Sequence, residues 1–478
     1  MWTRRALLRA LLAIVAAALA PPLPAAAQRD TLVGRLRAVV AGADLGPDVG
    51  IAVVDVAAGR PVFQHHAGRP LNPASNQKLV TAAAALGTLG PSFTLRTAVL
   101  GAIEDGRVRE LVLRGFGDPT LTRGQLYAMA LEVADQGVRR VDRLVVDGTY
   151  FDDEVLPPAF EQQPDEVAAF RAPVAALSVD RNAYDLRIIP GAEVSAPCRV
   201  RLPGAAYFDV DQGATTGEPG ALRVVADQRD AGERMSLRLR GTVPVDVRGV
   251  TYRRRVIHPL RFAGEVAREA LAAAGIRVTD EVRVGAGPDG LPLLVTHRSP
   301  PLGAILPAMG KWSDNFTAEM LFKVLGAERS RPGRADVAAL AVRAFLAERG
   351  LPIDRIDIVN GSGLFDGNRI AAQHLADLLA AVYRDPALRP TYVAHLAVGG
   401  VDGTLRRRLR DLPAPRIVRA KTGTLAGVIA LSGYVLGPRL DRVYAFSILT
   451  NGVRGRHGAA RRLADAIVTA LAEHLHRG

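Results

Sequence analysis

The chain contains 478 residues, of which 49% are hydrophobic and 23% charged, and its formal net charge at pH 7 is +13. This length predicts two or three domains, and the composition excludes an intrinsically disordered protein. No nucleic-acid-binding module is recognisable, so no nucleic-acid partner is predicted. The positive charge permits a peripheral association with an anionic envelope membrane, and it is explained equally well by solubility alone.

The first 27 residues have the pattern of a secretory signal peptide. Arg4 and Arg5 precede an apolar run, Ala10–Ala20, that is too short to span a bilayer. Ala25–Ala27 then offers a small-residue cleavage site. The pattern predicts cleavage near Ala27 and export to the periplasm, and it leaves the general secretory and twin-arginine routes both open.

The segment 28–91 predicts a helix, a hairpin and a second helix. Residues 30–45 carry apolar side chains at helical spacing, and two β-rich stretches, Val49–Val56 and Pro61–Gln64, flank a short turn. A strongly helical, alanine-rich run follows from Asn76 to Leu86. Because the pattern changes near residue 92, this segment is interpreted as the first part of a divided domain.

A large insertion is predicted after residue 91. A strand at Leu111–Arg114, a helix at 122–136 and a strand at Arg143–Asp147 form a β-α-β pattern. We assign the inserted domain to residues 92–184, with a continuation at 246–254. The region 185–245 lacks helical periodicity and predicts a nested all-β module, with strands at Asp185–Ile189, Leu222–Val225 and Met235–Leu239.

Residues 255–478 are predicted to complete the first domain. Helical patterns occur at Leu260–Ala274, Leu302–Met309, Phe316–Leu325, Ala335–Ala347 and Ala371–Tyr383. A strand pair is predicted at Arg277–Val284 and Leu293–Val295. Three strands and a helix then close the chain, at Arg416–Thr422, Val428–Leu436, Arg442–Leu449 and Gly458–His474. The elements predict an α/β (α+β) fold in which both ends of the chain build one antiparallel sheet flanked by helices.

Ser75 and Lys78 form the first candidate site. They are three residues apart at the start of the Asn76–Leu86 helix, so the two side chains share a helix face. Serine needs a base to act as a nucleophile, and lysine serves as a base only when burial and nearby positive charge remove its proton. Only four of the 61 basic residues are lysines, which indicates that a retained lysine fills a role that arginine cannot.

The sequence contains no convincing dinucleotide-binding loop and no metal-binding histidine motif. Gly285–Gly290 matches G-x-G-x-x-G, but Pro288 and Pro292 block the helix that a dinucleotide loop must open. The histidines show no metal-binding spacing. No cofactor and no metal site is predicted.

Two further motifs accompany Ser75-x-x-Lys78. Ser313-Asp314-Asn315 lies between two predicted helices, and Lys421-Thr422-Gly423-Thr424 lies at the end of a predicted strand. Motifs of these three kinds, in this order, are the signature of class A β-lactamases and penicillin-binding proteins. The chain therefore resembles the penicillin-binding, active-site-serine family.

The long separation of Ser75 from Ser313 narrows the resemblance. A compact β-lactamase has no room for so many residues between the first two motifs. A long insertion at this place resembles the low-molecular-mass D-alanyl-D-alanine carboxypeptidase/endopeptidases. Four more stretches are similar to that subfamily: Gly117–Leu121, Ala175–Val179, Asn360–Leu364 and Gly400–Leu405. Asn360 departs from the aspartate expected there, and we interpret it as part of a structural turn.

The resemblance implies the role of each motif residue. Ser75 would attack the carbonyl between two D-alanines and Lys78 would accept its proton, while Ser313 relays the proton to the leaving amine. Asn315 would bond Lys78 and the substrate amide. The terminal carboxylate would be held by Lys421 with Thr422 and Thr424, the oxyanion by backbone N–H groups of Ser75 and Thr424, and Gly423 would allow close approach of the substrate strand.

The predicted substrates are peptidoglycan stem peptides and their cross-links, and β-lactams are predicted covalent inhibitors. Two alternatives remain open at this stage, namely a β-lactamase-like hydrolase and a non-catalytic muropeptide-binding protein. The balance between carboxypeptidase and endopeptidase activity is also open. Asp152 and Asp153 in the insertion could meet a substrate amine, but a solvated turn is the simpler interpretation.

Overall fold

The computed structural model describes residues 31–477, so the predicted signal peptide lies outside the described residues. The central element is a six-stranded antiparallel sheet in the order β18-β19-β20-β21-β1-β2. Its strands are β1 (Val49–Asp55), β2 (Arg60–His65), β18 (Ala397–Val398), β19 (Val418–Leu425), β20 (Val428–Leu436) and β21 (Val443–Thr450). The predicted sheet built from both ends of the chain is confirmed.

Helices cover both faces of this sheet because side chains alternate between its faces. On one face, α1 (Leu32–Ala43) and α10 (His457–Arg477) pack against strand residues such as Leu431. The other face, which includes Ala430, carries the larger helical layer. That layer consists of α2 (Gln77–Leu89), α5 (Leu302–Lys311), α6 (Asn315–Arg329), α7 (Ala335–Glu348), α8 (Ala372–Arg384) and α9 (Arg389–Ala394).

The helix α2 is buried along most of its length because it is built from small residues. Residues 77–86 are all buried, and the alanines at 82–85 let neighbouring helices approach closely. The strand that precedes it in the chain, β3 (Pro70–Leu71), forms a two-stranded sheet with β17 (Ile370–Ala371). The buried helix is a rigid base for the side chains on its first turn.

The insertion is built on a second sheet, with core strands in the order β14-β7-β6-β4-β16. The predicted β-α-β unit is present as β6 (Arg107–Gly115), α3 (Arg123–Asp135) and β7 (Arg140–Asp147), with β6 and β7 parallel. Its core also includes α4 (Pro259–Ala273). The remaining strands are β4 (Arg96–Leu100), β5 (Ile103–Glu104), β14 (Arg277–Val278), β15 (Arg283–Val284) and β16 (Leu293–Arg298).

Two three-stranded sheets form the β-rich part of the insertion. One has the order β13-β8-β9 and the other the order β10-β12-β11. The strands are β8 (Ala183–Ile189), β9 (Arg199–Arg201), β10 (Phe208–Gly217), β11 (Arg223–Ala231), β12 (Arg234–Pro244) and β13 (Val250–Arg255). The single cysteine, Cys198, is buried in the core that this region shares with the β-α-β unit.

Strand pairing corrects two sequence predictions. The stretches Arg277–Val284 and Leu293–Val295 do not pair with each other, because β14 and β15 join β7 whereas β16 joins β4. Residues 259–298 thus belong by pairing and packing to the insertion, and the predicted return to the first domain at residue 255 is too early. No helix within residues 31–477 is long and apolar enough to cross a membrane.

Candidate active site

Ser75 lies in a short 3₁₀ turn, Ala74–Asn76, that leads directly into α2. The Asn72 side chain shapes this turn by accepting the Ala74 N–H at 2.8 Å. Asn451 in turn bonds the backbone of Asn72 on both sides, at 2.9 and 3.1 Å. These bonds hold Ser75 half-buried at the first turn of a rigid helix.

The Lys78 amine is buried beside Ser75 and surrounded by oxygen acceptors. It is 1% exposed, and its Nζ lies 3.1 Å from Ser75 Oγ, 2.7 Å from Asn315 Oδ1 and 2.7 Å from the Ser362 carbonyl. Burial lowers the pKa of Lys78 to about 7, against the opposing effect of nearby carboxylates. The amine can therefore lose its proton near neutral pH, which is the state that a general base requires.

Ser313 and Asn315 are placed by a sharp connection between α5 and α6. Ser313 has a left-handed backbone conformation, with φ at 62°, and Asp314 caps α6 by accepting the Thr317 N–H at 2.7 Å. The cap starts a new helix at Asn315, whose side chain then reaches Lys78. A local rule of helix capping thus brings a residue distant in sequence to the Ser75 helix.

Lys421 is the second buried amine of the site. Its Nζ donates to Ser313 Oγ at 2.8 Å and to the Thr422 carbonyl at 2.7 Å. Burial, together with the charge of Lys78, holds the pKa of Lys421 well below its usual value. Since each amine penalises a proton on the other, an anion bound between them would be strongly favoured.

The rest of this motif follows the edge of β19. Thr422 Oγ1 lies 2.8 Å from Thr404 Oγ1, and Thr424 is exposed. A Cβ at Gly423 would stand 3.0 Å from atoms of Ala430, Ala74 and Pro73, so the lack of a side chain lets the sheet lie close to the Ser75 turn. The close approach of a substrate strand at this glycine stays a prediction.

The insertion contributes directly to the site. Asn315 Nδ2 donates to the Phe170 carbonyl at 3.0 Å, and Arg181 forms an ion pair with Asp314 at 3.3 Å. Beside Thr424, a cavity of about 680 Å³ is lined by both parts of the protein. Its wall includes Phe170, Leu364, Asp366, Arg369, Thr424 and Leu425.

Asn360 is structural, as the sequence interpretation proposed. Its Nδ2 donates to the Pro158 and Leu364 carbonyls, and its Oδ1 accepts the Gly363 N–H at 2.9 Å. An ionised aspartate could not make the two donations. Asp152 is not free for a substrate amine either, because it forms an ion pair with buried Lys323.

Sequence reasoning placed Ser75, Lys78, Ser313, Asn315 and Lys421 in one site, and the structure brings these five side chains together. It missed three contributors, namely the Phe170 carbonyl, Ser362 and Glu319. Ser362 lies in a stretch already noted for its resemblance, but a backbone carbonyl carries no side-chain signal. No group of three or more potential metal ligands occurs within the described chain.

A serine–lysine pair on a buried helix, facing a Ser-x-Asn connection and a Lys-Thr-Gly strand, is the site signature of the penicillin-binding, active-site-serine class of proteins. Comparison with known proteins identifies the family. Residues 32–474 match the D-Ala-D-Ala carboxypeptidase 3 (S13) family, and the chain belongs to it.

Relatives and solved structures agree with this assignment. A D-alanyl-D-alanine carboxypeptidase from an Actinomadura species is 38% identical over 444 residues, covering 89% of this chain and 81% of the relative. The D-alanyl-D-alanine carboxypeptidase DacB of Haemophilus influenzae is 28% identical over 85% of this chain and 86% of its own length. The crystal structure of penicillin binding protein 4 from that organism has a TM-score of 0.77 at 25% identity, covering 91% of this chain and 99% of the other.

Proposed function

We propose that the protein is a periplasmic serine carboxypeptidase that removes the terminal D-alanine from peptidoglycan stem peptides through an acyl-enzyme on Ser75. The observation that carries this proposal is the 3.1 Å approach of the Lys78 amine to Ser75 Oγ inside a buried site. Lowering the lysine pKa from 10.5 to about 7 corresponds to about 5 kcal/mol of differential stabilisation of the neutral amine. That magnitude indicates a site shaped for proton removal.

The first step forms a bond between Ser75 Oγ and the carbonyl carbon of the penultimate D-alanine. Lys78 accepts the serine proton as this bond forms. The bond between that carbon and the nitrogen of the terminal D-alanine then breaks, and Ser313 passes a proton to the leaving amine. Water hydrolyses the ester afterwards and restores Ser75.

Lys421 supports recognition of the substrate's terminal carboxylate. Lys421 lies in the middle of β19, and its amine is held by Ser313 and by the Thr422 carbonyl. The hydrogen-bond partners of this buried amine are neutral, and a bound carboxylate would give it a negatively charged partner. The hydroxyls of Thr422 and Thr424 would add hydrogen bonds to the carboxylate. We assign the oxyanion site to the backbone N–H groups of Ser75 and Thr424.

We extend the proposal to cross-links between stem peptides, since an endopeptidase cut uses the same acyl-enzyme. The cavity beside Thr424 would give a longer peptide room next to the proposed oxyanion site. β-Lactams would acylate Ser75 in the same way, and a complex with a β-lactam is known for the Haemophilus protein, whose structure is 24% identical over 92% of this chain with a TM-score of 0.73.

A β-lactamase activity is the main alternative, and the environment of Glu319 argues against it. A β-lactamase needs a carboxylate or equivalent base that activates water against the acyl-enzyme. Glu319 is a buried carboxylate whose charge acts on Lys78, and both of its oxygens already accept backbone N–H groups, those of Gly361 and Ser362. This arrangement supports a long-lived penicillin adduct.

The test is incubation of the purified mature protein with defined monomeric and cross-linked muropeptides, followed by mass analysis. We expect release of D-alanine from a pentapeptide, and no release by Ser75→Ala of equal melting temperature. Stoichiometric penicillin labelling without any D-alanine release would favour a muropeptide-binding protein, and rapid turnover of penicillin would favour a β-lactamase. Release of the protein by osmotic shock, with an N terminus near residue 28, tests the location.

A further inference from the structure

Glu319 is a buried carboxylate that the reaction above does not use. It lies on α6 one turn after Asn315, so the two side chains share the helix face that looks toward α2. The residue is 2% exposed. An ionised group at this depth needs strong partners, and an acid retained without a partner would be costly.

The partners of Glu319 lie in one turn, Asn360–Gly363, and comprise two backbone N–H groups and the Ser362 hydroxyl. Its Oε2 accepts the N–H of Gly361 at 3.0 Å, and its Oε1 accepts the N–H of Ser362 at 2.7 Å. The carboxylate thus grips the turn with both oxygens. A glycine is required at 361, because a Cβ there would press on Phe322 at 2.6 Å.

The opposite side of the same turn faces α2. The Gly361 carbonyl accepts from Thr81 Oγ1 at 2.7 Å, and the Ser362 carbonyl accepts from Lys78 Nζ at 2.7 Å. Residues 361 and 362 therefore connect Glu319 on α6 to Lys78 on α2. Any shift of the turn would move the acceptor that faces the amine.

That acceptor decides where the lone pair of Lys78 points. A neutral amine has two N–H bonds and one lone pair, whereas Nζ has three oxygen neighbours, on Ser75, Asn315 and Ser362. If the two N–H bonds point at Asn315 and at the Ser362 carbonyl, the lone pair is left facing the Ser75 hydroxyl. This is the only assignment in which the amine can take the serine proton.

Charge links the same groups. The carboxylates that face Lys78 are Glu319 and Asp314, both of which raise its pKa, and the cation that faces it is Lys421 on β19. Burial raises the pKa of Glu319, against the hydrogen bonds from the 361–362 turn and the charge of Lys78. The carboxylate and the amine therefore respond to each other's protonation.

We propose that Glu319 is a positioning residue of the serine site, which holds the Asn360–Gly363 turn so that the Ser362 carbonyl orients Lys78, and whose negative charge sets the pH at which that amine becomes a base. The inference rests on the acyl-serine reaction proposed above. It assigns Glu319 no contact with the substrate.

The test compares acylation of the full mature chain by a fluorescent penicillin from pH 5.5 to 9 in the wild type, Glu319→Gln, Glu319→Asp and Glu328→Gln. In Glu319→Gln the missing negative charge lowers the pKa of Lys78, so the acid limb of the rate profile moves down by about one pH unit. The plateau rate falls about tenfold or more. The reason is that the NH₂ end of the glutamine amide is a donor and cannot accept the hydrogen bond of the backbone N–H that it faces.

Glu319→Asp separates the effect of the negative charge from the effect of side-chain length. It keeps the anion, so its acid limb stays within about 0.3 pH units of the wild type, but the shorter side chain cannot hold both N–H groups and the plateau rate falls. Glu328→Gln removes an acid from the same helix, one that bonds Tyr150 at 2.6 Å, and leaves the limb in place.

An acid limb of Glu319→Gln at the wild-type position would overturn the proposal. Equal losses in Glu319→Gln and Glu319→Asp with unmoved limbs would overturn it too, because a purely structural role predicts that result. If Glu319→Gln does not fold, Glu319→Asp decides, and a full wild-type rate in that variant overturns the proposal. A wild type that penicillin never acylates would instead refute the acyl-serine reaction itself.

Discussion

The protonation of Lys78 gives the sharpest prediction for the reaction. With a pKa of about 7, the amine is about half neutral at pH 7, about one-eleventh neutral at pH 6 and about ten-elevenths neutral at pH 8. The second-order rate constant for acylation by penicillin should therefore fall about fivefold from pH 7 to pH 6, and it should level off above pH 8. A lysine of ordinary pKa would give a rate that keeps rising to about pH 10.

The matching variant is Lys78→Arg. A guanidinium stays protonated throughout this range, so we expect acylation to fall by a factor of about 10² to 10⁴, with no recovery at high pH. Lys323→Arg is the control, because Lys323 pairs with Asp152 and arginine can keep an ion pair. Stopped-flow labelling gives the rates and thermal melting checks the fold. A flat wild-type profile, or near-normal acylation in Lys78→Arg, would refute the base assignment.

Three further predictions follow from single contacts. Asn315→Asp places a carboxylate against Nζ of Lys78, raising the amine pKa, so acylation at pH 7 should drop about tenfold and recover as the pH rises. Gly363→Ala should cost more than about 2 kcal/mol in urea unfolding and slow acylation, because φ is 72° and the added Cβ overlaps the Ala74 carbonyl. Burial lowers the pKa of His395 from 6.5 to about 4. Between these values the unfolded state binds the proton, so stability should fall by about 3 kcal/mol as the pH drops from 6.5 to 4, and His395→Gln should remove this loss.

The local elements of the site were predictable because their signals are local. The turn before Ser75, the alanine-rich helix after it and the break that starts a helix at Asn315 all follow from short-range capping and turn chemistry. The sheet from both ends of the chain was predictable as well, because a hairpin near the start and three consecutive strands near the end both have clear strand patterns. Side-chain motifs on such elements can be recognised directly from their residue types and spacing.

The contributions that sequence reasoning missed depend on contacts between distant segments. Phe170 and Ser362 act through backbone carbonyls, which every residue has, so no residue type marks them. Glu319 follows Asn315 by one helical turn, and that spacing could have raised it as a candidate. Its role becomes visible only in the structure, where Glu319 accepts hydrogen bonds from the 361–362 turn. The boundary near residue 255 failed for a similar reason, because only strand pairing assigns residues 277–298 to the insertion.

The insertion is part of the serine site in physical terms. Asn315 must present Oδ1 to Lys78, and the opposite end of its amide is fixed by the Phe170 carbonyl, a group that belongs to the insertion. An asparagine amide held at one end only could flip and offer an N–H to the amine. Because Phe170 also lines the cavity beside Thr424, a substrate group that settles in this cavity would press on the segment that orients Asn315. We therefore expect binding of a longer peptide and alignment of the proposed base to be coupled through the Phe170 carbonyl, so that small substrates that leave the cavity empty lose turnover rate as well as affinity.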